Sequence, residues 1–122
     1  LLENGLAWTF LYHGIPIFYY GTEQLPVAES EDHRLSMWPH FGRTDIYDFV
    51  ARLNEIRKNH GLASGGEAVA ELAVVVAAKP SLLAFIRGRL LVLLTNLGSG
   101  SDSVELCLEK SQLPPWPSFR TV

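Results

Sequence analysis

The stretch Gly14-Ile15-Pro16-Ile17-Phe18-Tyr19-Tyr20-Gly21 decides how the chain reads. It is a continuous apolar, β-branched and aromatic run between two glycines. That is the pattern of a strand buried on both faces, as in parallel sheets covered by helices. Pro16 cannot donate to a hydrogen-bond ladder and is tolerable only at the start of such a strand. A strand of this kind cannot stand alone. It needs neighbours on both edges, and the chain does not supply them. The expectation is a piece of a larger unit.

Upstream, Leu2, Leu6 and Phe10 recur every four residues, which predicts a helix over about Leu2 to Tyr12, with Gly14 placed for a left-handed C-cap. Downstream, Gly21 to Arg43 reads as a long polar loop holding Glu23, Gln24, Glu29, Glu31, Asp32, His33 and Arg34. Loops of that length are commonly functional or disordered. Leu35, Met37, Trp38 and Phe41 favour order, because they offer apolar surface to bury. A second helix follows, with Ile46, Phe49, Val50, Leu53 and Ile56 at i, i+3, i+4, i+7 and i+10. Thr44 or Asp45 can cap its start, and Arg57, Lys58, His60 and then Gly61 suit its end. Asp48 and Arg52 are spaced for an i,i+4 ion pair.

Composition shifts at Leu62-Ala63-Ser64-Gly65-Gly66, a small-residue loop that divides the chain into units 1–61 and 62–122. The second unit predicts strands at about Glu71–Ala77, Leu82–Arg87, Arg89–Asn96 and Ser103–Leu108. Lys79-Pro80-Ser81 and Gly88 mark the turns. In the last strand Val104, Leu106 and Leu108 alternate with Glu105, Cys107 and Glu109, as in a half-solvated antiparallel strand. The tail Leu113-Pro114-Pro115-Trp116-Pro117 cannot be helical.

The 122 residues carry a net charge of -3, with 48% hydrophobic and 19% charged residues, which excludes a disordered chain. The most apolar run, Leu72 to Ala78, falls far short of the roughly 20 residues a membrane span needs, so no membrane partner is expected. No basic stripe exists to engage nucleic acid. His13, His33, His40 and His60 are scattered without zinc spacing. Gly98-Ser99-Gly100-Ser101 lacks the Lys and helix of a phosphate loop. Cys107 has no internal partner and reads as packing. The chain opens without an initiator Met or a basic leader, as a piece of a longer chain would.

Gly14 to Gln24 resembles the eighth barrel strand of α-amylases and their relatives. In that family a loop follows with an Arg and, four residues on, a Trp; Arg34 and Trp38 match. A helix of the Leu-Asn-x-x-Arg type comes next, similar to Leu53-Asn54-Glu55-Ile56-Arg57, and then an antiparallel domain, similar to Ala84 to Asn96. The resemblance runs along nearly the whole chain in order. It implies α/β followed by all-β: the last part of a (β/α)8 TIM barrel (1–61) and an incomplete, antiparallel Greek-key-type β-sandwich domain (62–122). It implies retaining hydrolysis of α-1,4-glucosidic bonds in starch or related glucans by two carboxylates. The reacting carboxylates and the principal calcium ligands of the family lie upstream of Leu1. So no catalytic residue and no cofactor falls in this chain, and calcium belongs to the full-length parent. The implied partners are an α-glucan and the N-terminal part of the barrel, and the implied location is extracellular.

Arg34 matches a family Arg that contacts sugar hydroxyls together with an Asp four residues before it. Here that position is Ser30, flanked by Glu29 and Glu31. The departure breaks the match, and a neighbouring carboxylate, Glu31 or Asp32, would have to take over the contact. Read from residue type alone, the Glu29–Asp32 cluster is a solvated turn, Glu23 and Gln24 tie down the rim, and Tyr19, Tyr20 and Trp38 are core before they are sugar platforms. A noncatalytic carbohydrate-binding module, with Trp38 and Trp116 as its platform, is the alternative.

Overall fold

A computed structural model describes residues 1–24, 36–62 and 72–98, with 103, 105–109, 111 and 113. Two helices come first, α1 (Leu2–Leu11) and α2 (Asp45–Asn59), with short 3-10 turns at Thr22–Gln24 and Trp38–His40 between them. Three strands follow, β1 (Val74–Lys79), β2 (Leu82–Arg87) and β3 (Leu90–Thr95), antiparallel and in sequential order.

α1 turns Leu6, Ala7, Phe10 and Leu11 inward. Leu2, expected on the same face, lies half in solvent at the first turn. The helix ends on Tyr12 in extended conformation rather than on a left-handed cap at Gly14; Gly14 has its positive φ of 104° two residues later. α2 starts as the sequence predicts: the Thr44 side chain accepts from the Tyr47 amide at 3.0 Å. It ends in a Schellman arrangement. The Leu62 amide donates to the Arg57 carbonyl at 2.8 Å and the Gly61 amide to the Lys58 carbonyl at 3.2 Å. Gly61 sits at φ 70°, a conformation that a Cβ disfavours. The expected Asp48–Arg52 pair is replaced by a bond from Arg43 Nε to Asp48 at 2.7 Å. Asp48 thereby raises the Arg43 guanidinium pKa, through that hydrogen bond first and charge second.

β1 and β2 form one hairpin across Pro80-Ser81, and β2 and β3 a second across Gly88-Arg89, where Gly88 supplies φ 56°. β1 carries a bulge at Val76, between the pairs Val75–Phe85 and Ala77–Ala84. The first strand lies nearer Pro80 than the predicted Glu71–Ala77, because the tight hairpin leaves only Pro80 and Ser81 unpaired. Glu71 itself lies outside the described residues. No strand covers Glu105–Glu109, so the predicted fourth strand fails there, and Val104 lies outside the described residues. Alternation assigns faces to side chains, but a strand also needs a neighbour to take its hydrogen bonds. Cys107 is exposed rather than packed. No Greek-key crossover occurs among the described residues, whose sheet is a simple meander.

One core joins helices and sheet. Leu6, Ala7, Phe10 and Leu11 from α1, Ile46 and Leu53 from α2, Leu62, and Phe85, Leu90 and Val92 from the sheet form a single buried cluster. Each of these side chains other than Ala7 contributes about 1.5–3 kcal/mol on burial. Leu62, at the expected loop between two units, is itself core.

The deciding stretch departs furthest from expectation. Ile15 to Tyr20 is not a strand and has no ladder. Its side chains alternate in exposure from Ile15 to Tyr19. Phe18 packs edge-on against Phe10 at 5.6 Å, whereas Ile15 and Ile17 are 85% and 87% exposed. One face is covered and the other is open. The physical cause is the missing sheet: among the described residues no neighbouring strand takes up a ladder here or covers Ile15 and Ile17.

Candidate functional site

The candidate site is the loop that leaves Tyr20 and returns at Thr44. Its two ends are closed on each other. The Gly42 amide donates to Gln24 Oε1 at 3.0 Å, and the Thr44 hydroxyl donates to the Glu23 carbonyl. Thr44 therefore serves twice, capping α2 with its oxygen and holding the loop base with its hydroxyl proton. Gln24 ties the two limbs of this loop together. Thr22 bends the outgoing limb by donating from Oγ1 to the Tyr19 carbonyl at 2.9 Å.

Aromatic side chains stand on both limbs. Tyr19 and Tyr20 are exposed, with ring centroids 4.7 Å apart. Trp38 is 85% exposed and Phe41 67%, their rings meeting edge-on at 5.9 Å. Tyr19, Tyr20 and Trp38 are thus not core, contrary to the reading from residue type. Pro39 in the Trp38–His40 turn holds Trp38 on a short rigid corner, a cheap way to present an indole to water. Flat apolar ring faces of this kind are what the C–H faces of a sugar ring pack against.

Arg34, Asp32 and Glu31, the predicted substrate contacts, lie outside the described residues, as do Glu29, Ser30 and His33. Trp116 does too. Among the described residues no three of His, Cys, Asp or Glu stand together to hold a metal. Also among them, no helix is long and apolar enough to cross a membrane.

Two polar residues in the core escaped the sequence reading. Arg57 and Arg87 are buried. Arg57 follows Ile46 and Leu53 on the inward stripe of α2 at spacings of seven and four. Its place at the helix end made a solvated role at the C-terminus the simpler reading. Arg87 ends an otherwise apolar strand on the same face as Phe85, and that alternation was the available signal.

No family profile matches the chain, and no solved structure matches it. Curated proteins do. The chain is 40% identical over 65 residues to an α-amylase of Lipomyces kononenkoae, covering 51% of this chain and 10% of that protein. It is 29% identical over 106 residues to the α-amylase of Saccharomycopsis fibuligera, covering 84% of this chain and 21% of that one. It is 32% identical over 60 residues to a cyclomaltodextrin glucanotransferase of Niallia circulans, covering 48% of this chain and 8% of the relative. The chain thus spans about a fifth or less of the length of these relatives.

Proposed function

We infer that this chain, a homologue of α-amylase-family glycoside hydrolases, supplies the closing edge of a (β/α)8 barrel and part of the glucan-binding face of an enzyme that cleaves α-1,4-glucosidic bonds with retention. The observation that carries this reading is the similarity to an α-amylase along 84% of the chain. The exposed outer face of Ile15 and Ile17 supports it, because a barrel strand needs partners on both sides.

Under this reading the loop between Tyr20 and Thr44 lies at the C-terminal end of a barrel strand, where barrel enzymes build their sites. Arg34 donates its two-pronged hydrogen bonds to vicinal sugar hydroxyls, with Asp32 or Glu31 accepting from the same sugar. Trp38 offers a stacking face. In the reaction one carboxylate attacks the anomeric carbon, a second protonates the leaving oxygen, and water releases the product. Both carboxylates come from other parts of the parent, so the 122-residue chain alone turns over no glucan. The parent carries its calcium on residues other than these, acts outside the cell, and packs the N-terminal part of its barrel against Ile15–Tyr20.

The test is Arg34→Ala in the longer protein. The KM for soluble starch is expected to rise about tenfold, the loss of one charge-assisted contact, with kcat less changed. An unchanged KM, or starch hydrolysis by the 122-residue chain above a mock preparation, overturns the reading.

The exposure of Trp38 favours one second reading, a noncatalytic carbohydrate-binding module. Retardation of the chain in a glycogen gel, abolished by Trp38→Ala, would support it; unretarded migration removes it.

A further inference from the structure

An α-helix leaves its last carbonyls without intrahelical donors and gathers negative partial charge there. α1 has no basic residue in its own last turn. Two arginines from elsewhere in the chain fill the place. Arg57, in the last turn of α2, donates through Nη1 to the Phe10 carbonyl and through Nη2 to the Leu62 carbonyl, the latter at 2.9 Å. Arg87, at the end of β2, donates through Nη1 to the Tyr12 carbonyl at 2.6 Å. Arg57 is only 7% exposed and Arg87 is 0% exposed.

The arrangement is costly. Burial first, and the charge of Arg87 second, pull the Arg57 pKa below its ordinary value. A guanidinium remains charged even so, which leaves two like charges out of water beside each other. Apolar side chains of similar volume could fill such space at no loss of stability. They could not hold the carbonyls of Phe10 and Tyr12 at the end of α1 and that of Leu62 after α2. The same joint is fixed again by rings: Trp8 stacks on Tyr12 at 3.8 Å, and Phe85 of β2 meets both edge-on, at 5.5 and 5.1 Å.

We propose that Arg57 and Arg87 are positioning residues: together they lock the exit of α1 against α2 and the sheet, and so aim the segment Tyr12–Gln24 from which the substrate loop departs. This segment has no ladder to orient it, so its direction is set where it leaves α1, where Phe18 touches Phe10, and at its far end, where Thr44 and Gly42 hold Glu23 and Gln24. The sheet thereby acts on the site through Arg87. The catalytic consequence rests on the glucan-site reading; the lock itself does not.

Arg57→Lys and Arg87→Lys test it, because a lysine keeps the charge but lacks the planar fork. In the 122-residue chain, amide exchange is followed at Tyr12, whose N–H bonds the Trp8 carbonyl at 2.9 Å, and at Leu53 inside α2. The Tyr12-to-Leu53 rate ratio is expected to rise about tenfold in each variant, as the loss of a charged hydrogen bond confined to one joint would give. A ratio unchanged within about twofold means that both amides follow global opening, and it overturns the lock. In the longer protein, the KM for a malto-oligosaccharide is expected to rise about fivefold or more in the folded variants with kcat within about twofold, which mere loss of stability would not produce. An unchanged KM overturns the positioning role. If the unmutated longer protein hydrolyses no α-glucan, the proposed function fails, and the exchange ratio alone decides the lock.

Discussion

β2 and the stretch Ile15–Tyr20 are both short apolar runs, and they meet opposite fates. Leu82-Leu83-Ala84-Phe85-Ile86-Arg87 is paired on both edges, and all but Leu83 are buried. Ile15-Pro16-Ile17-Phe18-Tyr19-Tyr20 joins no sheet, and within it Phe18 packs against Phe10. Hydrophobicity does not separate them. The supply of partners does. β2 gets both neighbours from adjacent sequence, through hairpins closed by Pro80-Ser81 and Gly88-Arg89. Such local pairings cost little loop entropy. A strand of the parallel type needs neighbours brought by long crossovers, which no nearby segment provides.

The comparison breaks most visibly at Phe85. This ring is completely buried and meets Trp8 and Tyr12, at and just beyond α1, edge-on. Phe85→Ala should lower the unfolding free energy by about 3–5 kcal/mol, read as a fall in the urea midpoint at constant slope. A loss below about 1 kcal/mol would mean that the helices and the sheet do not share a core.

Thr44→Ala should have the next largest effect, about 0.5–2 kcal/mol, because it removes the cap of α2. It also removes the hydroxyl that holds the Glu23 carbonyl, so proteolytic nicking between Gln24 and Phe41 should quicken beyond what the stability loss explains. Equal acceleration in a variant with the same stability loss elsewhere would show that the loop base does not depend on Thr44.

What the sequence made legible follows the same division. Periodicity and caps placed α2 to within a residue, since Thr44, Leu53 and Gly61 act through contacts a few positions away. Pro80 and Gly88 placed the hairpins for the same reason. Elsewhere the outcome hung on remote groups. Ser103–Leu108 has a strand's alternation but gains no ladder over its described residues. Arg57 looked like a solvated helix end, because its acceptors, Phe10 and Leu62, come together only in the fold. Trp38 looked like core because an indole usually is; Pro39 and the loop's closed base leave it outside. Arg34, Asp32 and Glu31 fall outside the described residues, and their role stays with the resemblance that suggested it.

A smaller effect belongs to the surface pair at the start of α2. Asp48→Asn leaves an oxygen that can accept from Arg43 but removes the negative charge that pairs with it and favours the helix N-terminus. The melting temperature should fall slightly at low ionic strength, and the difference should shrink as salt is added. A salt-independent loss would assign the effect to packing.

The smallest effect discriminates best. Ile17 points away from Phe10 and lies 87% exposed, so Ile17→Ser in the 122-residue chain should change the unfolding free energy by no more than about 0.5 kcal/mol. In a longer protein that completes a barrel, the same side chain would sit between strands and helices, and emptying it should cost about 2–5 kcal/mol. The quantity to measure is the difference between the two chemical unfolding curves. A near-zero change in both would leave Ile15–Tyr20 without a partner anywhere and remove the barrel reading. A large loss in the short chain would mean that Ile17 is buried there, by self-association or by other residues of the same chain. A gap of several kcal/mol would show that β2 and Ile15–Tyr20 differ only in where their neighbours come from.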